Sequence, residues 1–206
     1  MITIINYGMG NLGSIVNMLK RIGVQAQVTE DVAQIERAEK LILPGVGAFD
    51  AAMERIGSIP GLREVLDYKV LEEGIPLLGI CLGMQLLTEG SEEGKLPGLG
   101  YIPGCTLHFP SDMGLKIPHM GWNHIHICND SPLVHDLPEE PRFYFVHSYY
   151  VQCANPEHVV CTTDYGITFH SVIQKDHVYG AQFHPEKSHK FGMRLLENFA
   201  KSLIRA

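Results

Sequence analysis

The sequence predicts an α/β fold with a mixed, largely parallel central sheet and helices on both of its faces. Before residue 100, short apolar runs typical of strands alternate with segments whose apolar residues recur at helical spacing. Strands that alternate with helices indicate right-handed crossovers and parallel pairing. After Gly100 the chain is rich in strand-forming runs, and no linker or internal repeat divides the two halves. We therefore expect one domain over residues 1–206.

Each element of the first half carries a local signal. In the first helical segment the apolar side chains fall on one face, and Gly23 follows it at a position suited to positive φ. Pro44 is expected to end the third strand. The predicted strands are Ile2–Asn6, Gln25–Thr29, Lys40–Leu43 and the run LLGIC after Pro76, and the predicted helices are Leu12–Ile22, Asp31–Ala38 and Leu62–Leu71.

The second half is predicted to form strands separated by turn residues, followed by a C-terminal helix. The candidate strands are YIPGCTLHF, WNHIHIC, RFYFVHSYYVQ, GITFHSVIQ and VYGAQF. The helix is predicted over Phe191–Leu203, because the apolar residues of this segment lie largely on one side. These residues are Met193, Leu195, Leu196, Phe199 and Leu203.

Composition and charge exclude several classes of function. Of the 206 residues 45% are hydrophobic, and the formal net charge is −7 with no basic block, so nucleic acid and anionic membranes are poor candidates for partners. No apolar run approaches the roughly 18 residues of a membrane span, and the first residues lack the features of a signal peptide. Five scattered cysteines suit a reducing compartment. We expect a soluble, cytoplasmic protein.

Gly8, Gly10 and Gly13 form a G-x-G-x-x-G pattern between the first predicted strand and the first helix. With Glu30 or Asp31 near the end of the next strand, this pattern is typical of dinucleotide-binding folds. A nucleotide-binding regulatory module that uses the Gly8–Gly13 loop is therefore one hypothesis. The alternative is a tight turn whose glycines serve the backbone conformation. The sequence offers no obvious second half for a dinucleotide crevice.

His124, His126 and Cys128 alternate along one predicted strand, so period two places three zinc-competent side chains on one face. Neighbouring positions on that face are about 7 Å apart, however, which is too far for one tetrahedral ion. A polar strand face is the favoured interpretation. We expect neither a metal nor a cofactor.

Cys81 is the strongest candidate for catalysis. The segment GICLG (79–83) lies between a buried strand and an apolar helix, and it is the cysteine form of the G-x-S-x-G nucleophile elbow. At such an elbow the nucleophile stands on a sharp, strained turn, and the flanking glycines let the backbone approach itself closely. The N–H groups at the start of the helix favour a thiolate. The alternative is a buried structural cysteine.

His184 and Glu186 are the candidates for the base and for the acid that orients it. They close the run VYGAQF, and period two places their side chains on one face. A carboxylate beside an imidazole fixes its tautomer and stabilises the imidazolium form, as in a catalytic triad. His147, in FVHSY, is the next candidate but lacks a nearby acid in the sequence.

The motifs GICLGMQ (79–85) and QFHPEKS (182–188) resemble those of the class I glutamine amidotransferases. PGVGAFD (44–50), PHMGWN (118–123) and YFVHSY (144–149) are similar to motifs of the glutaminase subunits of imidazole glycerol phosphate synthase. The resemblance runs from YGMGNLGS near the start to the C-terminal helix. It implies the three-layer, flavodoxin-like fold of this family and the hydrolysis of glutamine to glutamate and ammonia.

The resemblance also implies a role for individual residues. Cys81 would attack the side-chain amide of glutamine, with His184 as acid and base and Glu186 orienting it. Backbone N–H groups would form the oxyanion hole at Val46, Gly47 and Leu82. The glutamine-binding residues would be Gly47, Gln85, His147, Ser148 and Tyr149. We also expect partner binding to gate the site by flipping the Pro44–Gly47 loop.

The family further implies a heterodimer with a (β/α)₈-barrel synthase (cyclase) subunit. This partner would receive the ammonia and join it to a phosphorylated ribulosyl aminoimidazole-carboxamide nucleotide. The residues that would face the partner are Asn11, Trp122, Tyr144 and Lys187. Paralogous glutaminase subunits that supply ammonia for the amidation of a cell-surface glycan sugar share the catalytic motifs. They remain the alternative within the family, and a related Cys-His peptidase is the alternative outside it.

Overall fold

The computed structural model describes residues 1–112 and 114–201. The strands are β1 (Ile2–Ile5), β2 (Ala26–Thr29), β3 (Leu41–Gly45), β4 (Leu77–Cys81), β5 (Gly90–Ser91), β6 (Gly104–His108), β7 (His119–His124), β8 (His126–Ile127), β9 (Arg142–His147), β10 (Tyr149–Cys153), β11 (Val159–Tyr165), β12 (Ile167–Lys175) and β13 (Val178–Ala181). The helices are α1 (Leu12–Arg21), α2 (Val32–Glu36), α3 (Phe49–Ser58), α4 (Leu62–Asp67), α5 (Leu82–Leu86) and α6 (His189–Lys201). A π-helical turn over Tyr68–Glu72 extends α4.

The main sheet is mixed, as the sequence predicts. Its first part is parallel, in the order β2, β1, β3, β4 and β13. From β13 the sheet continues in antiparallel pairs through β12 and β10 to β6, and β5 pairs in parallel with β6. Strands β7 and β9 form a separate antiparallel ribbon, in which His119 lies opposite His147 and Trp122 lies opposite Tyr144. This ribbon carries His147, one of the residues predicted to bind glutamine.

Two hydrophobic cores lie on opposite faces of the parallel strands. Alternate strand residues such as Ile4, Ile42 and Leu78 pack with α1 and α6. Their neighbours in the chain, such as Leu41 and Leu77, pack with α2, α3, α4 and α5. Because successive side chains of a strand point to opposite faces, strands buried on both faces read as continuous apolar runs. The predicted three-layer architecture is confirmed.

The third strand differs from its prediction, because β3 continues through Pro44 to Gly45. Pro44 lies opposite Ile80 of β4, whereas pairing with β1 involves Leu41 and Ile42. A proline is tolerated in a strand where one side needs no N–H donor. The extension carries the strand to the position beside Cys81 and starts the loop that faces it.

Helix α3, strand β11 and the short strand β5 are absent from the prediction. Helix α3 buries Phe49, Ala52 and Ile56, but its alanines and glycine give a weak apolar period. Strand β11, with the sequence VVCTTDY, owes its pairing to β12 and β8. The predicted end of the C-terminal helix, Leu203, lies outside the described residues.

The prediction of one continuous strand over WNHIHIC is wrong. Strand β7 pairs with β9, but β8 pairs with β11, so the chain changes partner after His124. The His126 ring nitrogen lies 3.6 Å from a carboxylate oxygen of Asp164, and the Cys128 sulfur lies 3.5 Å from the hydroxyl of Thr162. Residues 1–112 and 114–201 contain no group of three or more His, Cys, Asp or Glu side chains that could hold a metal ion.

The described part of the chain contains no helix long and apolar enough to cross a membrane. All five cysteines are free thiols, and Cys81, Cys153 and Cys161 are buried.

Candidate active site

Cys81 stands at the sharp turn between β4 and α5. Its backbone has φ 55° and ψ −113°, a conformation that non-glycine residues avoid. Strained backbone of this kind costs about 1–3 kcal/mol and is retained where the surrounding structure enforces it. Here the surroundings are the extended strand β3 and the start of α5, which enclose the elbow on both sides.

The two glycines of the elbow leave no space for a side chain. A Cβ atom at Gly79 would lie 2.6 Å from the carbonyl oxygen of Gly83, and a Cβ atom at Gly83 would overlap the carbonyl oxygen of Leu43. Any larger residue would therefore push α5 away from the sheet. The close approach predicted at both glycines is confirmed.

His184 and Glu186 meet beside the elbow. The Nδ1 atom of His184 lies 2.8 Å from Oε1 of Glu186, and both side chains are almost fully buried. Glu186 belongs to a 3₁₀ turn over Pro185–Lys187 that follows β13, so the turn, rather than the alternation of a strand, brings the two groups together. Ser188 holds this turn: its hydroxyl donates to the carbonyl of His184 and accepts from the N–H of Tyr144.

The charge state of His184 follows from its neighbours. Burial by itself would lower the pKa of the imidazole, but hydrogen bonds to Cys81 and Glu186 and the charges of both groups outweigh it and raise the pKa to about 10. At neutral pH the ring is therefore an imidazolium. The Cys81 sulfur is also 3.9 Å from the amide nitrogen of Gln182, which donates to it. The site holds an acid that can give up a proton next to the sulfur.

A cavity of about 300 Å³ opens over the sulfur. The structure brings together there all the residues predicted to bind glutamine or the oxyanion, while Glu186 lies behind His184. Those that line the cavity are Val46, Gly47, Cys81, Leu82, Gln85, His147, Ser148, Tyr149 and His184.

Three further residues line the cavity and are absent from the prediction: Glu93, Pro118 and Val146. Glu93 is the notable one, because it adds the only carboxylate among the residues that line the cavity. Its Oε2 atom accepts a hydrogen bond of 3.0 Å from the N–H of Phe49, so α3 fixes its position. The segment GSEEG that contains it has no recognisable pattern, and only the fold reveals its place.

Gln85 is held inside the wall of the cavity. Its amide nitrogen donates to the carbonyl of Tyr149 and to the side-chain oxygen of Gln182, both at 3.1 Å. The residue is one helical turn from Cys81, as the sequence predicts. Since both amide hydrogens have partners, this nitrogen holds the strand that contains Tyr149.

The loop over Pro44–Gly47 faces the elbow. The hydroxyl of Tyr7 donates to the carbonyl of Pro44 at 2.6 Å, and Val46 is half exposed. Gly47 has φ 122°, and a Cβ atom there would lie 2.6 Å from the terminal methyl group of Met9. The segment after β1 thus supports the loop from behind.

The Gly8–Gly13 loop acts as a turn. Gly8 and Gly10 have positive φ, and a Cβ atom at Gly10 would lie 3.0 Å from Pro44. Asn11 caps α1 by accepting from the N–H of Ser14. Asp31, one of the two candidates for the ribose-binding acid, instead caps α2. Gly8 and Gly10 thus serve the backbone conformation of a turn, whereas a Cβ atom at Gly13 would meet nothing within 4 Å.

Three of the four residues predicted to face a partner form one patch, in which Trp122 and Lys187 are exposed and Tyr144 is half-buried. The rings of Trp122 and Tyr144 are 6.3 Å apart, and the ammonium group of Lys187 lies 5.9 Å from the centre of the Tyr144 ring. Trp122 is 45% exposed, which is unusual for the largest apolar side chain. The fourth residue, Asn11, caps α1, which packs against the turn that contains Lys187.

Comparison with known proteins agrees with this geometry. The family model "Glutamine amidotransferase class-I" matches residues 3–203. The chain is 54% identical to imidazole glycerol phosphate synthase subunit HisH 2 of Methanococcus maripaludis, over 98% of this chain and 99% of the relative. The chain belongs to the class I glutamine amidotransferases. It is also 47% identical to subunit HisH 2 of Pseudomonas aeruginosa, over 98% and 99% of the two chains.

Solved structures share the fold at low sequence identity. The structure of PurLQS from Thermotoga maritima superposes with a TM-score of 0.72 at 18% identity and covers 98% of both chains. The crystal structure of another glutamine amidotransferase gives a TM-score of 0.71, also at 18% identity, over 96% of this chain and 98% of that one. The predicted fold class is thereby confirmed. The prediction of a glutamine amidotransferase, similar to glutaminase subunits of imidazole glycerol phosphate synthase, is confirmed as well.

Proposed function

We propose that this chain is the glutaminase subunit of an imidazole glycerol phosphate synthase and that Cys81, His184 and Glu186 are its catalytic triad. The observation that carries the proposal is the strained elbow of Cys81 beside a buried His184–Glu186 pair, in a cavity large enough for an amino acid. Membership of the amidotransferase family and similarity to HisH subunits support glutamine as the substrate.

The reaction begins at the sulfur. The Cys81 thiolate attacks the side-chain amide carbon of glutamine, and the negative charge moves to the amide oxygen. Backbone N–H groups of Leu82 and of the loop around Val46 and Gly47 receive this oxyanion, and each preorganised donor contributes about 3 kcal/mol of transition-state stabilisation. Cys81 stays in place because the elbow is fixed by backbone packing.

Proton transfer then belongs to His184. The imidazolium gives its proton to the departing nitrogen, so that ammonia leaves and a γ-glutamyl thioester remains. The neutral ring next takes a proton from water, which attacks the thioester and releases glutamate. Glu186 keeps the Nδ1–H of His184 in place through both steps, 2.8 Å away.

The rest of the cavity suits the amino-acid end of glutamine. The Glu93 carboxylate is positioned by its hydrogen bond from Phe49, and it would pair with the α-ammonium group of the substrate. The segment of Ser148 and Tyr149 also lines the cavity and supplies backbone donors and acceptors. An amino acid would thus be bound by its charged end, with the amide directed at the sulfur.

We further propose that the ammonia passes to a (β/α)₈-barrel synthase subunit docked on the patch of Trp122, Tyr144 and Lys187, with Asn11 at its border. Tryptophan and tyrosine side chains are enriched where proteins bind each other. The names of the relatives as subunits of a synthase support an assembly of this type.

The decisive experiment replaces the nucleophile. In the complex with the barrel subunit, we expect Cys81→Ala to lower glutamine-dependent glutamate release by about 10⁴-fold or more, because the covalent step is lost. Cys105→Ser, which alters an exposed cysteine, is the matched control and should keep wild-type turnover. Undiminished turnover in Cys81→Ala would overturn the proposal. Rescue of a histidine auxotroph by the wild type together with its barrel subunit tests the pathway, since a sugar-amidating paralogue would fail to rescue.

A further inference from the structure

A chain of hydrogen bonds runs through the β7–β9 ribbon to the wall of the cavity. Nδ1 of His147 lies 2.8 Å from the carbonyl oxygen of Tyr149, and Nε2 of His147 lies 2.9 Å from Nδ1 of His119. Nε2 of His119 lies 3.2 Å from the amide nitrogen of Asn123. Three side chains that the proposed reaction leaves without a chemical step are thus linked in a line that ends at Tyr149.

The position of every proton in this chain follows from its two ends. The Tyr149 carbonyl can only accept, so His147 carries its proton on Nδ1 and presents a lone pair at Nε2. His119 must then donate from Nδ1 and accept at Nε2. The donor to His119 is the amide group of Asn123.

The hydrogen bonds of Asn123, at the other end of this series, agree with the assigned donors and acceptors. The amide nitrogen of Asn123 has two hydrogens, and its second partner is the carbonyl oxygen of Asp164, 2.9 Å away. The amide oxygen of Asn123 accepts from the N–H of His124 at 2.8 Å. Both ends of this amide group are therefore assigned, and a flipped amide would place an oxygen against an acceptor.

The environment keeps both rings neutral. Burial lowers the pKa of His119 to about 4. Burial, together with the positive charge of His184, lowers the pKa of His147 to about 3, although its hydrogen bond to the Tyr149 carbonyl opposes this shift. The ring of His119 is stacked between Phe145 and Tyr165, at centroid distances of 4.8 and 4.1 Å. Stacking between these two rings restricts the neutral His119 ring to one orientation.

The series of hydrogen bonds ends at Tyr149, in the cavity where the substrate is expected to bind. The carbonyl of Tyr149 accepts from His147 on one side and from Gln85 on the other, at 2.8 and 3.1 Å. His147, Ser148 and Tyr149 line the cavity beside Cys81. The orientation of this segment therefore depends on whether His147 can donate from Nδ1, which in turn depends on His119.

We propose that His119 is a positioning residue for glutamine hydrolysis, which fixes the tautomer of His147 and through it the His147–Tyr149 wall of the glutamine pocket. This inference rests on the proposed glutaminase function. His119 does not touch the substrate; its effect is on the binding of glutamine more than on the chemical step. Asn123 supports the same arrangement indirectly, because it donates to Nε2 of His119.

The test compares His119→Phe with the wild type in the complex with the barrel subunit. Phenylalanine keeps the stacking between Phe145 and Tyr165 but removes both ring nitrogens. We expect the KM for glutamine to rise about tenfold, as for the loss of a buried hydrogen-bond partner, with kcat changed less than threefold. His119→Gln, which can donate and accept, should restore part of the lost affinity. His158→Phe alters another buried histidine outside the chain of hydrogen bonds and should leave the KM unchanged.

A second readout does not depend on activity. Long-range ¹H–¹⁵N spectra of the isolated wild-type chain should show His119 and His147 as Nδ1–H tautomers at neutral pH. In His119→Phe the Nε2 atom of His147 loses its hydrogen-bond donor, so its ¹⁵N signal should shift and a fraction of Nε2–H tautomer should appear. An Nε2–H tautomer of His147 in the wild type would overturn the inference, and so would a wild-type KM in a folded His119→Phe variant. Absence of glutaminase activity in the wild-type complex, with the tautomers as stated, would instead refute the proposed function.

Discussion

The two sides of the cavity are held by different means. Around Cys81, backbone packs against backbone: Gly79 and Gly83 have no space for a side chain, and a Cβ atom at Gly45 would lie 2.8 Å from the nitrogen of Gly83. Around His184, a side-chain hydrogen bond donated to Glu186 and another donated by Ser188 fix the geometry. The geometry around Cys81 therefore depends on steric fit, and the geometry around His184 depends on which atoms carry protons. Substitutions on the first side should therefore damage the fold, and those on the second should damage activity in a folded protein.

The largest expected effect tests the steric side. Gly83→Ala should destabilise the protein by at least about 3 kcal/mol, because the added methyl group overlaps the carbonyl of Leu43 in a layer with no free volume. Thermal unfolding measures the loss. Gly13→Ala is the matched control, since a Cβ atom there meets nothing within 4 Å and α1 should gain about 0.5–1 kcal/mol. A wild-type melting temperature in Gly83→Ala would contradict the steric account.

The next effect tests the hydrogen-bonded side. Glu186→Gln should lower the kcat for glutamine by about 10²–10⁴-fold, because the His184 imidazolium loses its neutralising charge. The variant should still fold and should unfold cooperatively on heating. Glu157→Gln is the control, since Glu157 also lies beside a histidine, 3.8 Å from His158, but is exposed. If Glu186→Gln kept turnover within threefold of the wild type, Glu186 would have no part in catalysis.

The smallest expected change per measured step concerns pH, because it is spread over the range between the two pKa values of His184. The folded pKa of His184 is raised from 6.5 to about 10, so the folded state holds a proton that the unfolded chain has released between these values. The resulting stabilisation is complete below about pH 6.5 and is lost as the pH rises towards 10, by at most about 1.4 kcal/mol per pH unit. Urea denaturation across this window should show a steeper decline for the wild type than for Glu186→Gln. Equal slopes would contradict the assigned charge of His184.

The sequence predicted the candidate site best where the residues that react together lie close together in the chain. The elbow around Cys81 and the pairing of His184 with Glu186 each lie within a few residues, and so residue types and spacing sufficed to predict them. Parallel strands of the first half were equally visible, because burial on both faces makes them uniformly apolar.

Features that depend on distant parts of the chain were not predictable in this way. Glu93 enters the cavity because α3 donates to it, and α3 itself has a weak apolar period. The role of Pro44 depends on which neighbour its strand has at that point. His119 and Asn123 do lie on the same face of β7, but their partners at His147 and Asp164 are set by the fold. Local patterns contain no information about such pairings.

Strand β7 has a consequence for how assembly and turnover are related. Its inward positions carry His119 and Asn123, while Met120 and Trp122 are exposed on the other face, and Trp122 belongs to the proposed docking patch. One short strand thus contributes both to the proposed docking surface and to the support of the glutamine pocket. Selection that alters the contact with the synthase acts on the same strand that supports glutamine, so subunit affinity and substrate affinity are expected to drift together in evolution.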